Sequence, residues 1–130
     1  MDSSTVITGI RWILTAELLL GGQARLTDKM TPTVHQKAMS KADGYRRYLP
    51  FIPASNSTQH SQIIGGLMCI AGGVLCTATT RTFGASLSMS LSIAGWYSQA
   101  RMCVPYLLPI INTVLAGLII THHNQGALAI

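Results

Sequence analysis

A carboxylate stands inside an apolar run. Glu17 falls near the middle of 6–22, with Arg11 six residues before it. An acid so placed can fix helix register through a buried polar contact. It can also accept a proton or touch a ligand in an apolar site. A charge at mid-bilayer costs about 2.5 to 3.5 kcal/mol on insertion scales, so it faces the bundle interior and finds a partner there. Arg11 is not that partner. Six residues make roughly 600° of helical rotation and about 9 Å of rise, so the two side chains diverge by about 120°. Glu17 reaches across to another helix instead, where Tyr97, Gln99, Asn112 or a snorkelling Arg can meet it. In a catalytic reading Glu17 is the general acid or base, and Tyr97 or Asn112 orients the substrate.

Other chemistries have little to draw on. All four acids, Asp2, Glu17, Asp28 and Asp43, lie in the first third of the chain. The three cysteines form no C-x-x-C pair and no even disulfide set. Cys69 and Cys76, seven apart, share a helix face and read as small packing residues. His122 and His123 point about 100° apart on a helix and chelate poorly, and His35 and His60 fall at the opposite end of the bundle. There is no C-x-x-C-H haem motif, phosphate loop or nucleophile triad. Neither a metal nor a cofactor is expected, so any catalysis would be proton transfer.

The elements that position these residues are helices in a bilayer. Apolar residues make up 48% of the 130 and charged residues 10%, against about a quarter in soluble domains. Four apolar runs, 6–22, 63–79, 83–100 and 104–121, each of 17 or 18 residues, approach the length of about 20 that a span needs. In lipid the backbone must satisfy its own hydrogen bonds, so the runs are helices. The first lacks a basic leading region and carries charges, so it reads as a retained helix rather than a cleaved signal. The expectation is a single all-α domain over 1–130, an integral membrane four-helix bundle with an amphipathic segment between helices one and two. The links 80–82 and 101–103 are short enough to force antiparallel neighbours.

The first link is long. Thr31-Pro32 starts a helix, and Val34, Ala38, Ala42, Tyr45 and Leu49 recur on one face of it. Lys37, Lys41, Arg46 and Arg47 fill the other faces. A basic amphipathic linker over 31–50 is expected to lie along the membrane surface or against the bundle. Pro50 and Pro53 end it, and ASNSTQHSQ at 54–62 reads as a polar loop carrying the glycosylation triplet Asn56-Ser57-Thr58. Pro109 cannot donate to the carbonyl of Pro105 and should bend helix four, with Asn112 near enough to satisfy the freed groups.

The net charge of +5 is uneven: six of the nine Lys and Arg fall within 25–47. Beside a span, such a segment meets anionic lipid headgroups rather than nucleic acid. The positive-inside rule then puts the long link and Arg101 in the cytosol and both termini on the other side of an endomembrane or plasma membrane, where the triplet goes unused. On helix two Gly65, Cys69, Gly73 and Thr77 recur every fourth residue. Such small-residue stripes let helices pack closely, and this one reads as helix packing or else as a narrow groove for an apolar ligand; in an accessory protein it would be the interface with a partner. Gly84, Ser88, Ser92, Gly95 and Gln99 make a similar face on helix three, with Trp96 and Tyr97 near its end as an aromatic belt.

The order of pieces is an apolar helix, GGQARLTDKM, a basic stretch ending in YRRYLPF, IIGGLMCIAGGVL, and two closely spaced helices around RMCVPYLLPIIN. Over 8–120 it resembles the DoxX-like family of small four-helix membrane proteins. The resemblance implies a compact bundle with a re-entrant or surface segment after helix one. Family members have been tied to quinone-linked oxidation, membrane redox complexes and the assembly of acetylcholine-gated channels, so it does not settle the task. Relatives tend to carry Glu after the IG-x-x pattern of helix two. Met68 stands there, which leaves Glu17 as the only intramembrane acid.

The first functional expectation is an accessory or assembly component, partnered by the bilayer and by another membrane protein or further copies of itself. The alternative is a membrane-bound enzyme (an isomerase, a cyclase or a quinone- or redox-linked one) acting on an apolar metabolite such as a terpenoid, polyketide or quinone beside secondary-metabolite enzymes. A transporter would need oligomers, since four short helices enclose little volume.

Overall fold

The structure is a computed structural model; it describes the backbone of residues 3–77 and 80–129 and the side chains of 5–77 and 80–122. The described residues are all-α. Four long helices, α1 (Ser3–Leu26), α4 (Ser57–Leu75), α5 (Arg81–Arg101) and α6 (Leu107–Ala129), carry two short ones, α2 (Pro32–Ser40) and α3 (Ala42–Tyr48), between the first two.

Local chemistry sets these boundaries. Pro32 opens α2, where its missing N–H costs nothing. The linker is not one helix over 31–50. It breaks at Lys41, which caps α2 and precedes α3. The stripe divides accordingly: Ala42, Tyr45 and Leu49 are buried, while α2 buries nothing. The stretch 54–62 is not a loop throughout. Asn56, in extended conformation, accepts from the Gln59 N–H at 2.8 Å and caps a helix starting at Ser57. Polar residues therefore form the first turns of α4, and its end moves back to Leu75 from the expected 79.

Helix α6 starts at Leu107, not 104, so Pro109 sits in the first turn, where no intrahelical donor is needed, and the expected bend has no cause. The turn before it closes α5 with paired bonds, Cys103 N–H to Ala100 O (3.2 Å) and Val104 N–H to Gln99 O (3.1 Å). That is a Schellman cap, with Cys103 at φ 61° in the place glycine usually takes.

The long helices form a ring in which α1 packs on α4 and α6, and α5 closes the circuit between them. The registers are antiparallel. Gly22 meets Cys69 and Gly65 while Gly72 meets Leu18 and Leu19; Gly95 faces Pro109 while Gly117 faces Met89. The core runs along the ring through Ile7, Leu14, Leu18, Ala71, Leu75, Ala85, Ala116 and Ile119. A second, smaller core of Tyr45, Leu49 and Ile64 seats α3 on one end.

By length and composition, one described helix is long and apolar enough to cross a membrane, over Thr5–Leu26. The apolar part of α6, Leu107–His122, is shorter, and α4 and α5 do not qualify. The hydroxyls of α5 and α6 are partly paired within their own helices: Ser90 to Ser86 O (3.0 Å), Ser98 to Ala94 O (2.8 Å) and Thr113 to Pro109 O (2.8 Å).

A Cβ at Gly22 would lie 2.8 Å from Gly65 O and 3.1 Å from Cys69 N, and backbone cannot give way cheaply. Gly22→Ala should therefore destabilise the fold by about 1–3 kcal/mol. Gly73→Ala meets nothing within 4 Å and should stabilise its helix, by up to about 1 kcal/mol. Thermal unfolding of both variants in one detergent checks this, and equal midpoints would contradict the packing.

Candidate functional site

Glu17 projects from α1 and Asn112 from α6, and the two meet. The Asn112 side-chain amide hydrogen-bonds the Glu17 carboxylate. Both residues are half-buried. Glu17 Oε2 and Asn112 Oδ1 are sealed from solvent and have no hydrogen-bond partner among the described groups. The amide donor serves one carboxylate oxygen, and one oxygen on each side chain remains unmatched. Of the groups that could have met Glu17, the structure selects Asn112. It is free to do so because α6 starts late and its backbone needs no repair near Pro109.

The other sequence candidates lie elsewhere. Tyr97 is 53% exposed on the outer face of α5, beside Trp96 and Arg101, so it does not orient anything at Glu17. Gln99 donates to the Tyr45 hydroxyl at 2.9 Å. Arg11 lies over Trp12, 5.4 Å from the ring centre, and its Nε is buried without a partner. Arg25 donates from one Nη to Gly21 O and to Met68 Sδ, each at 3.3 Å, and lies over Tyr45 at 5.6 Å. Met68 is thus in contact with a guanidinium.

The stripe on α4 is split. Gly65 and Cys69 face inward and touch Gly22, so they join α1 to α4 within the chain rather than meeting a partner. Gly73 is exposed and Gly66 half-buried, and a Cβ on either would meet nothing within 4 Å. Of the basic residues, Lys37, Arg46 and Arg47 are exposed and Lys41 is half-buried. Arg46 donates to Ser55 O at 3.0 Å, and Arg47 lies over Tyr48 at 5.4 Å.

Two histidines work structurally in a way their spacing does not reveal. His35 Nδ1 donates to Ala24 O at 2.6 Å, and buried His60 Nε2 donates to Leu49 O at 3.0 Å. Each holds a carbonyl at the end of one element against another, a pairing across 11 positions that only the fold creates. His122 is half-buried inside α6 with neither ring nitrogen partnered, and the side chain of His123 lies outside the described residues. Among the described residues no three His, Cys, Asp or Glu come together. The thiols are free, with Cys69 half-buried and Cys76 and Cys103 exposed. The Glu17–Asn112 pair can exchange a proton with a bound group or hold its O–H or N–H.

No family model, curated protein or solved structure matches the chain.

Asn112→Leu removes the donor from the carboxylate and should cost about 1–3 kcal/mol. Glu17→Gln keeps an acceptor for the same amide and should cost less than about 1 kcal/mol. Denaturation midpoints decide it: a Glu17→Gln loss as large as that of Asn112→Leu would mean that the carboxylate has a second, stronger role in the fold.

Proposed function

We propose that the chain is a small multi-pass membrane protein of DoxX-like type that acts as an accessory or assembly component. On this reading all four long helices cross the bilayer, and the outer faces of the bundle engage a partner membrane protein or further copies of the chain. The observation that carries it is where the large apolar side chains stand. Trp12, Ile13, Leu20, Ile70, Phe83, Leu108, Val114 and Leu118 are exposed on the outer faces of α1, α4, α5 and α6, while Thr15, Ser88 and Ser92 are buried. An outer surface this apolar is suited to lipid and is a liability in water. Seven basic residues, Arg25, Lys29, Lys37, Lys41, Arg46, Arg47 and Arg101, gather at one end, which becomes the cytosolic end under the positive-inside rule, in an endomembrane or the plasma membrane. With Gly65 and Cys69 used internally, the face left for a partner is Gly66, Ile70 and Gly73.

The second reading, a membrane-bound isomerase, cyclase or quinone-linked enzyme acting on an apolar metabolite, is favoured by one feature, the unmatched Glu17 Oε2 and Asn112 Oδ1. An apolar substrate carrying an amine would donate to both oxygens, and one carrying a hydroxyl to either.

The natural cysteines test the topology. Cys76 follows α4 and Cys103 follows α5, at opposite ends of the bundle, and both are exposed. A membrane-impermeant maleimide added to sealed vesicles should label Cys103 from the cytosolic side and Cys76 from the other side only. Labelling of both from one side would end the four-span reading. For the task, Gly73→Leu and Gly66→Leu should leave the fold intact and dissolve the complexes seen on native gels. Intact complexes, together with turnover by the purified protein that Glu17→Gln abolishes, would hand the function to the enzyme reading.

A further inference from the structure

The outer face of α5 near its C-terminus is neither smooth nor neutral. Ile93, Trp96, Tyr97, Ala100 and Arg101 recur at helical spacing and line an open groove of about 310 Å³. Its walls are apolar and aromatic along most of their length, and the one charge, Arg101, stands at the end next to α3. There the Arg101 guanidinium lies over the Tyr48 ring, 5.8 Å from its centre, and the Arg47 guanidinium lies over the same ring at 5.4 Å. Two exposed cations are thus held beside one aromatic, at the end of a shallow apolar groove. The acids at this end are Asp28 and Asp43, and Asp43 already accepts from the Ser57 hydroxyl. Neither acid forms an ion pair with Arg47 or Arg101 among the described residues.

We propose that this groove is a binding site for one anionic phospholipid. An acyl chain lies along Ile93, Trp96, Tyr97 and Ala100, and the phosphate meets Arg101 at the end of the groove, with Arg47 over the same Tyr48 ring. The charge complementarity argues for this occupant. A guanidinium offers a planar fork of donors that matches phosphate oxygens, and holding two of them on one ring lowers the entropy lost on binding. Trp and Tyr place the chemistry at headgroup depth, where one side of the ring is apolar and the other wet. Pockets of this kind on the basic side of membrane helices hold anionic headgroups. The site rests on the four-span reading, because it needs α5 to face lipid.

The full chain is reconstituted into nanodiscs of phosphatidylcholine containing phosphatidylserine, released gently, and the retained lipid is counted by native mass spectrometry. One phosphatidylserine per chain is expected, in preference to phosphatidylcholine. Arg101→Gln should cut that retention about tenfold, while Lys29→Gln, which removes the same charge from the same end, should leave it unchanged. Trp96→Ala should weaken it without altering charge, and inorganic phosphate should not compete, since it has no chain for the groove. Equal losses in Arg101→Gln and Lys29→Gln would overturn the site in favour of diffuse attraction. Retention of phosphatidylcholine at the same level would overturn it as well, and so would displacement by inorganic phosphate. Failure of the protein to enter nanodiscs would overturn the membrane reading itself, a separate outcome from entry without selective lipid.

Discussion

The structure depends on one close approach. At Gly22 and Gly65 the backbones of α1 and α4 come near enough that a methyl group on either would strike the carbonyl of the other. Contacts this close gather dispersion along both backbones and hold the two helices in one register. The crossing also aims Arg25, one turn further along α1, at Met68 and the ring of Tyr45. Tyr45 then receives Gln99 from α5, which seats α3 on the bundle. A contact between two glycines thus sets where the basic end of the molecule is built.

The sequence was readable where a physical signal is local. Thr31-Pro32 announces a helix start because proline's fixed φ and missing N–H suit a first turn. The spacing of Gly65 and Cys69 announces close packing. It does not say which helix fills the space, so a contact inside the chain and one with another protein look alike until Gly22 is in place. Proline is legible only relative to a boundary. Pro109 is a bend if the helix begins at 104 and an ordinary first-turn residue if it begins at Leu107, and hydropathy does not locate that edge. Asn56 was misread for a similar reason: a run of polar residues looks like a loop, although one of them caps the helix that the others begin.

The candidate site was half legible. Glu17 was conspicuous because a carboxylate within apolar surroundings demands an account. Its partner had to be chosen among several polar groups, and that choice turns on the rotation of α6, which no periodicity reveals. Tyr97 faces outward for the same reason that its neighbours Trp96 and Ile93 do, on the apolar side of a helix whose small residues face in. His35, His60 and Gln99 work through carbonyls or hydroxyls on other elements, and a side chain that binds backbone leaves little trace in composition.

The placing of Glu17 and Asn112 has a temporal consequence. The carboxylate is on α1, and its amide donor is on α6, the last member of the ring to be made. Until α6 is made, α1 and α4 can already be locked at their glycines while Glu17 waits without a donor. The ring therefore closes by recruitment of its final member, α6.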